Sequence, residues 1–287
     1  MSGILTEPLG PREDGLCAVF LDAGAVRRVG PSRMWVEATR RWAARGIPSL
    51  RLDVEGIGDA DGDERPYVDD GALYEPRLVP QVLDALDLLQ RRGFGDRFML
   101  AGLCAGAYWS FHAAIEDPRV SSALMLNPRA LIWDRSLAPA RDFRRLLLPA
   151  TWRKIRREAS IARVRALLDW LLASPMRIIS RSTWFGPAGL LTENEIDRAL
   201  DRLRASCKPA LMVFSTDEPL DEELVRSGRM HRIEQWPNIT VEYIRVRDHT
   251  LRPSWAQAQA HSVLDRALDR ELESRGGGLQ LNENVGS

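Results

Sequence analysis

A single cysteine stands between two glycines in the stretch "AGLCAGAYWS" at residues 101–110. Gly102 lies two positions before Cys104 and Gly106 two positions after it, with the apolar run "RFMLAGL" ahead and a helical pattern behind. Glycines at these positions let a chain turn sharply from a strand into a helix without a Cβ clash. The spacing is typical of a nucleophile elbow, where the usual residue is serine. Cysteine there indicates a sulfur nucleophile, a site that has lost its chemistry, or a chance grouping of small residues.

The position of Cys104 at the end of a predicted strand favours reactivity. A thiol there lies at the carboxyl edge of a sheet, with the N-terminus of a helix beneath it that lowers its pKa. The backbone N–H of Ala105 then points toward whatever binds above the sulfur and provides one half of an oxyanion hole. The alternative is a small buried cysteine that only fills a tight turn.

Acidic residues and a histidine follow two later strands. The segment "TDEPLDEE" comes after the apolar run "PALMVFS", and "RDHTLRP" comes after "ITVEYIRV". The resulting order of nucleophile, acid and base is one that catalytic triads use. Of the four histidines, His249 is the one on a loop between a strand and the last helix. Together with the elbow, this position favours a catalytic base over a surface histidine.

Strand and helix patterns alternate along most of the chain. Short apolar runs predict strands, and apolar residues at helical spacing between them predict amphipathic helices, on which Trp35, Trp42 and Trp255 are expected to face the core. The alternation predicts an α/β fold with a mostly parallel sheet covered on both faces. The predicted strands contain "LCAVFLDAG", "IPSLRLDVEG", "RFMLAGL", "VSSALMLN", "PALMVFS" and "ITVEYIRV". The tail "SRGGGLQLNENVGS" is predicted to be flexible.

Residues 129–206 interrupt this alternation with helical patterns and no clear strand, which predicts a helical lid inserted between two strands. Between residues 135 and 181 there are twelve Lys or Arg and three Asp or Glu. Such a charge run is usually the solvated face of helices. The functional alternative is a basic lid that attracts an anionic substrate or carrier, such as a phosphopantetheine arm or a carboxylate.

Composition limits the class of protein. The 287 residues include forty basic and forty acidic side chains, and this balance argues against a general nucleic-acid binder. Three widely spaced cysteines indicate neither a disulfide framework nor a zinc site, and no motif implies a metal or another cofactor. The chain begins without a secretory pattern, and its apolar runs are too short to span a bilayer. We therefore expect a cytoplasmic protein with no membrane partner.

The order of these motifs resembles that of the α/β-hydrolase superfamily, in the branch with a lid that includes serine aminopeptidase-like and dienelactone-hydrolase-like enzymes. The segment "RLDVEGIGDADGD" resembles a turn that follows an early strand in such hydrolases. The segment "FLDAGAVRRVGPSRM" is in the place of their His-Gly oxyanion loop, but has Asp22, Ala23 and Gly24 there. The resemblance spans residues 15–270 and implies an α/β-hydrolase core at 1–128 and 207–287, with the lid at 129–206.

The same resemblance implies the remaining members of the site. The usual register after the strand, a small residue, two variable positions and then the acid, selects Glu218 in "STDEPL", with Asp217 as the close alternative. Neighbouring side chains on an extended segment point in opposite directions, so only one of the two can face His249. The second oxyanion donor is assigned to the N–H of Ala25, with that of Val26 as the alternative.

Candidate substrate-binding residues lie near the same edge of the sheet. Arg27, Arg28 and Arg33 fall between the first predicted strand and its helix, where a guanidinium could bind a carboxylate or phosphate in bidentate fashion. Solvated loop arginines are the alternative. Trp109 is a candidate for an apolar acyl pocket between core and lid, with further candidates at Trp133, Trp152, Trp170 and Trp184.

Three functions remain open from the sequence. The first is a hydrolase or acyltransferase that acts through an acyl-thioenzyme on an ester or thioester of a small acyl substrate, which a coenzyme A or an acyl carrier protein could carry. The second is a lyase on the same scaffold, in which His249 abstracts a proton and an acyl or acetyl group leaves without an acyl-enzyme. The third is a non-catalytic binding protein with a degenerate elbow.

Overall fold

A seven-stranded sheet forms the centre of the part of the chain that the structure describes. The computed structural model describes residues 1–12, 15–24, 26–68, 70–132 and 188–283. The strand order is β1-β3-β2-β4-β5-β6-β7, and all neighbours are parallel except β1 and β3. The predicted mostly parallel sheet is therefore confirmed. The strands are β1 (Ser2–Thr6), β2 (Leu16–Leu21), β3 (Ser49–Asp53), β4 (Arg97–Leu103), β5 (Val120–Leu126), β6 (Ala210–Phe214) and β7 (Ile239–Tyr243).

The edge strand β1 is the strand that the sequence analysis missed. It pairs antiparallel with β3, with Ser2 opposite Asp53 and Thr6 opposite Ser49. Its residues are half-buried or exposed, because β1 has a neighbour on one side only. A strand of this kind carries no continuous apolar run, which was the signal used for the other six.

Helices connect the strands and cover the sheet. Helix α6 continues to Glu283, through the glycine-rich stretch that was predicted to be a flexible tail. None of the helices in the described ranges is long and apolar enough to cross a membrane. The helices are α1 (Met34–Ala43), α2 (Val79–Arg91), α3 (Ala105–Glu116), α4 (Ala188–Ala205), α5 (Pro219–Arg226) and α6 (Ser254–Glu283), and short 3₁₀ segments lie at Pro31–Arg33, Arg65–Val68, Asp70–Tyr74, Pro76–Leu78 and Met230–Gln235.

The core is built on the central strands, which are mostly apolar and buried. All six residues of β2 are buried, as expected for a parallel strand with helices on both faces. The ring of Phe20 lies 5.1 Å from that of Trp35 and 5.1 Å from that of Trp42, so both tryptophans belong to the core as predicted. The prediction for Trp255 was wrong. It is 56% exposed, at the start of α6.

The chain divides into two compact units, residues 1–131 with 199–287 and residues 132–198. The first contains the whole sheet. Of the second, the structure describes Ile132 and the residues of α4 from Ala188 to Arg198. Residues 133–187 of the predicted helical lid at 129–206 fall outside the described residues, as do Trp133, Trp152, Trp170 and Trp184, and the lid stays a prediction.

The contact between β4 and α3 needs two residues without side chains. A Cβ on Gly102 would collide with the backbone carbonyl of Gly106, and a Cβ on Gly106 would collide with the carbonyls of Leu21 and Asp22 at the end of β2. Backbone atoms cannot move aside as the tip of a flexible side chain can. The two glycines therefore let α3 start directly against the ends of β2 and β4.

Substitution of Gly102 tests this contact. We expect Gly102→Ala to lower the free energy of unfolding by about 3 kcal/mol or more, because the added methyl group meets backbone on the facing turn. Gly10→Ala is the matched control, since a Cβ at Gly10 meets nothing within 4 Å. Urea denaturation of the two variants measures the difference. Equal unfolding midpoints for both variants would contradict this account of the elbow.

Candidate active site

Cys104 lies at the junction between β4 and α3, in a backbone conformation that few side chains adopt. Its φ is 55° and its ψ is −107°. Residues other than glycine are uncommon at positive φ, and such strain persists only where the surrounding structure enforces it. Two features hold Cys104 in this conformation. They are the close backbone contacts at Gly102 and Gly106, and a hydrogen bond from the N–H of Cys104 to the carbonyl of Leu126 on β5 at 3.0 Å. The residue is 9% exposed.

His249 and Glu218 approach Cys104 from the loops that follow β7 and β6. The Nδ1 atom of His249 lies 2.8 Å from Oε2 of Glu218. Glu218 is buried, and it occupies the position just before α5. The His249 side chain is 36% exposed. The carboxylate therefore fixes one ring nitrogen of the imidazole, and the imidazole is near enough to the Cys104 thiol for each group to shift the pKa of the other.

The thiol and the imidazole shift each other's pKa in opposite directions. Burial raises the pKa of the Cys104 thiol, but the hydrogen bond and positive charge of His249, the Tyr74 hydroxyl and the charge of Arg129 together outweigh it, and the result lies below the usual 9.0. Burial likewise lowers the pKa of His249, but hydrogen bonds to Cys104 and Glu218 outweigh it and raise the value to about 10. The favoured state of the pair is a thiolate beside an imidazolium. Such a thiolate is the nucleophilic form of cysteine.

Of the two candidate acids, Glu218 is the one in contact with His249. Asp217 is exposed and has a φ of 65°, whereas Glu218 is 3% exposed. The chain turns at Asp217 between β6 and α5, so the two neighbouring carboxylates lie in different environments. The structure thus brings Cys104, His249 and Glu218 together and leaves Asp217 at the surface.

Asn127 connects the acid and base loops, and the sequence analysis missed it. Its side-chain amide donates to Oγ of Ser215 at 2.8 Å and to the carbonyl of His249 at 2.7 Å, and accepts from the N–H of Ser215 at 2.7 Å. The residue is fully buried at a φ of 44°, just after β5. Asparagine tolerates this conformation better than most residues. Asn127 therefore sets the position of His249 through its backbone.

The candidate oxyanion donors are the backbone N–H groups of Ala105, Ala25 and Val26. Ala105 is the first residue of α3, where backbone N–H groups have no acceptor within the helix. The N–H of Val26 donates to the carbonyl of Ala23 at 3.1 Å and is therefore engaged in a turn. Ala25 lies outside the described residues, and its role stays a prediction.

Asp22 holds the loop that follows β2. Its buried carboxylate accepts from the N–H of Ala23 at 2.7 Å and from that of Gly30 at 3.0 Å. Burial, the largest effect, raises the pKa of Asp22 well above its usual range despite these two hydrogen bonds. The backbone carbonyl of Asp22 accepts from the N–H of Gly106 at 2.9 Å. The residue in the place of the family's histidine thus ties this loop to the elbow.

Arg28 is held by two carboxylates, and its predicted role in substrate binding stays a prediction. Its guanidinium pairs with Asp53 at 2.5 Å and with Asp59 at 2.6 Å, and its backbone N–H donates to Asp53 at 2.6 Å. The Asp53 side chain is fully buried and that of Arg28 is 13% exposed. A planar guanidinium already paired with two carboxylates has little capacity for a third. The pair joins the loop after β2 to the turn after β3.

Arg27 and Arg33 remain at the surface. Their side chains are 68% and 63% exposed, with ion pairs no shorter than 3.9 Å to Asp59 and Glu37. Among the described residues, neither arginine forms a hydrogen bond or ion pair with Cys104, His249 or Glu218. Their predicted role in substrate binding rests on position alone and stays a prediction.

Trp109 is buried on α3 and supports a neighbouring turn. Its Nε1–H donates to the carbonyl of Leu73 at 2.7 Å, and 2% of the residue is exposed. The next residue in that turn, Tyr74, has its hydroxyl 3.4 Å from Sγ of Cys104. No motif in the sequence indicated Tyr74, which lies at the end of the short 3₁₀ segment Asp70–Tyr74.

We searched the described residues for side chains that could together bind a metal ion. The residues in the described ranges include no group of three or more His, Cys, Asp or Glu side chains that could hold a metal ion.

Comparison with known proteins places the architecture. No family model and no curated protein matches the chain. Est1E from Butyrivibrio proteoclasticus, solved with ferulic acid bound, is 15% identical with a TM-score of 0.58, over 95% of each chain. Proline iminopeptidase of Mycobacterium smegmatis is 15% identical with a TM-score of 0.54, over 92% of this chain and 94% of that one. Dienelactone hydrolase from Anabaena variabilis is 14% identical with a TM-score of 0.52, over 92% and 88%.

These similarities extend over nearly the whole length of each protein. Together with the sheet order and the position of Cys104 after β4, they establish that the chain has the α/β-hydrolase fold, as its sequence predicted. At identities near 15% the similarity shows the fold and not the reaction.

Substitution of the adjacent residues Arg27 and Arg28 tests whether the ion pair of Arg28 stabilises the fold. We expect Arg28→Ala to lower the free energy of unfolding by about 3 kcal/mol, because it leaves the buried Asp53 carboxylate without its cation. Arg27→Ala is the control, and we expect it to change stability by less than about 0.5 kcal/mol. Urea denaturation of both variants decides. Similar small losses for both would show that the Arg28 pair does not hold these loops.

The coupling of Cys104 to His249 predicts a pH dependence. The rate of alkylation of Cys104 by iodoacetamide should rise with pH and inflect below 9.0, because the imidazolium stabilises the thiolate. In His249→Ala the inflection moves to higher pH, because the largest influence that opposes burial is lost and only the Tyr74 hydroxyl and the Arg129 charge remain. Mass spectrometry of the Cys104 peptide measures the rate, with the exposed His231→Ala as the control. An unchanged profile in His249→Ala would disprove the coupling.

Proposed function

We propose that the protein is a hydrolase or acyltransferase that acts on an ester or thioester of a small acyl substrate through an acyl-thioenzyme at Cys104. The observation that carries this proposal is the set of contacts from Cys104 to His249 and from His249 to Glu218, centred on a strained elbow. A nucleophile, a base in contact with it and a third group that orients the base are the parts that nucleophilic catalysis requires. In this proposal Cys104 is the nucleophile, His249 the base and Glu218 the acid.

Acylation begins with the thiolate beside the imidazolium. The sulfur forms a bond to the substrate carbonyl carbon, and the carbonyl π electrons move to oxygen, where the N–H of Ala105 stabilises the charge. The C–O or C–S bond to the leaving group then breaks. The imidazolium of His249 gives its proton to the departing oxygen or sulfur, and Glu218 keeps the ring oriented.

Deacylation reverses these roles. The neutral imidazole of His249 takes a proton from water while the water oxygen attacks the thioester carbonyl. The thiolate of Cys104 then leaves. An alcohol, amine or thiol in place of water completes an acyl transfer instead. The choice between hydrolysis and transfer depends on which acceptor reaches the thioester.

The chemistry of sulfur favours activated acyl groups. A thiolate is a good nucleophile toward esters and thioesters, but it also leaves easily from a tetrahedral intermediate. An amide substrate would have to expel an amine in competition with the better leaving thiolate. A thioester carried on coenzyme A or an acyl carrier protein, or an activated ester, is therefore the substrate class we propose. The basic run at 135–181 would favour such an anionic carrier.

The structural neighbours support a hydrolase in general terms. Two carry the names of a hydrolase and an iminopeptidase, and a third was solved with ferulic acid bound. A site of the proposed kind would act on a soluble substrate, and we expect the protein to do so in the cytoplasm.

Intact-protein mass spectrometry tests covalent catalysis. The native protein is incubated with a panel of p-nitrophenyl esters and N-acetylcysteamine thioesters of graded acyl length. We expect a mass increase equal to one acyl group, absent from Cys104→Ala, and turnover lower by at least about 10³-fold in that variant. Cys104→Ser keeps a nucleophilic atom, so we expect it to retain the adduct at a slower rate.

The other outcomes identify the alternatives. Consumption of substrate without an adduct, with partial activity left in Cys104→Ala, would replace this proposal with a lyase in which His249 abstracts a proton. Binding of the acyl compounds without adduct or turnover, unaffected by Cys104→Ala, would indicate a binding protein.

A further inference from the structure

A tyrosine hydroxyl lies against the candidate nucleophile. The hydroxyl oxygen of Tyr74 is 3.4 Å from Sγ of Cys104, and Tyr74 is 1% exposed at the end of the 3₁₀ segment Asp70–Tyr74. A hydroxyl and a sulfur at this distance form a hydrogen bond in which either atom can donate when the sulfur is protonated. When the sulfur is a thiolate it has no proton, so Tyr74 must be the donor.

Contacts that do not involve Cys104 hold Tyr74 in this place. Trp109 on α3 donates to the carbonyl of Leu73 and so fixes the turn that carries the tyrosine. The ring of Tyr74 packs edge-on against that of Tyr108, with 5.3 Å between the centroids. The side chain of Leu73 covers the Gly24 backbone, 3.6 Å from where a Cβ there would lie. The hydroxyl is therefore positioned before any substrate binds.

We propose that Tyr74 is a catalytic residue of this site, whose hydroxyl donates a hydrogen bond to the thiolate of Cys104 and so stabilises the negative charge on the reacting sulfur. The proposal rests on the function proposed for Cys104 and names a further member of that site. The tyrosine keeps its proton throughout, and proton transfers occur only among Cys104, His249, the leaving group and water.

The contribution of this hydrogen bond differs between the two halves of the reaction. A thiolate accepts a stronger hydrogen bond than the uncharged sulfur of a thioester. Tyr74 therefore favours the free thiolate over the acyl-thioenzyme. Lowering the pKa of a thiol reduces the nucleophilicity of its thiolate only in part, but makes it a better leaving group. We infer that Tyr74 raises the thiolate fraction in the resting site and accelerates release of the acyl group.

The pH profile of Cys104 alkylation tests this role without any acyl substrate. Iodoacetamide is the probe, and the Cys207→Ser background removes the exposed cysteine. Cys17 does not interfere, because burial raises its pKa to about 12. In Tyr74→Phe we expect the inflection to move up by about one pH unit, since a hydrogen bond to a charged group is lost.

Tyr108→Phe is the matched control. It also removes one buried hydroxyl from the same aromatic pair, but not the one beside Cys104. We expect its profile to coincide with that of the parent protein. Equal inflections for Tyr74→Phe and the parent would overturn the proposal and leave Tyr74 with a packing role.

A second variant covers the case in which Tyr74→Phe does not fold. Trp109→Phe keeps the tyrosine hydroxyl but removes the N–H that anchors its turn, so we expect an upward shift smaller than one pH unit. No shift in a folded Trp109→Phe would count against the proposal. Folding of each variant is checked by thermal unfolding monitored by circular dichroism.

Acyl release gives the readout that links Tyr74 to catalysis. After a stoichiometric p-nitrophenyl acetate pulse, we expect the acyl adduct on Tyr74→Phe to decay several-fold more slowly than on Tyr108→Phe. Failure of the proposed function would appear as no adduct in any variant, with the alkylation shift still present. Failure of the inference alone would appear as normal adducts with the same decay rate in both variants and no shift.

Discussion

The backbone of β4 approaches that of α3 at Gly102 and Gly106 more closely than any side chain permits. This close approach makes the turn between them short enough to force Cys104 to a φ of 55°. The strain is maintained because the surrounding elements are packed and hydrogen-bonded independently of it. His249, Glu218 and Tyr74 all reach the sulfur from elements whose positions are set by the same sheet edge. A wider turn would move the sulfur away from all three.

Buried carboxyl groups hold the loop after β2. The side chains of Asp22 and of Asp53, which pairs with Arg28, accept hydrogen bonds from backbone N–H groups of this loop. A carboxyl group buried in this way is stable only when its oxygens are hydrogen-bonded, so the loop conformation and the buried group depend on each other. The loop is therefore held from two sides, by Asp22 at its base and by Arg28 at its middle. Of the three candidate arginines for substrate binding, Arg28 belongs to this pair, and the side chains of Arg27 and Arg33 are largely exposed.

The sequence predicted the features of the fold and site that depend on residues close together in the chain. The elbow, the six parallel strands and the loop position of His249 each follow from periodicity or from glycine spacing within ten residues. Asn127 and Tyr74 were not predicted because their roles come from contacts with residues distant in sequence, as with Asn127 and His249, which are 122 positions apart. The ion pairs of Arg28 were not predicted for the same reason, since Asp53 is at the end of β3 and Asp59 is on the turn after it. A charged residue at a sheet edge can bind a ligand or a neighbouring loop, and only the fold distinguishes the two.

Cysteine at the elbow changes where the site holds its charge. With serine, the charge on the nucleophile develops only in the transition state, because an alkoxide is too basic to exist beside an imidazole. With the Cys104 thiolate and the His249 imidazolium the separation of charge is present before substrate arrives, and Glu218 and Tyr74 both act on it. The protein must then stabilise the resting pair without making the thiolate unreactive. A neutral hydroxyl donor at 3.4 Å adds to the stabilisation from His249 and from the charge of Arg129 without a further cation against the sulfur, which would hold the charge more tightly there.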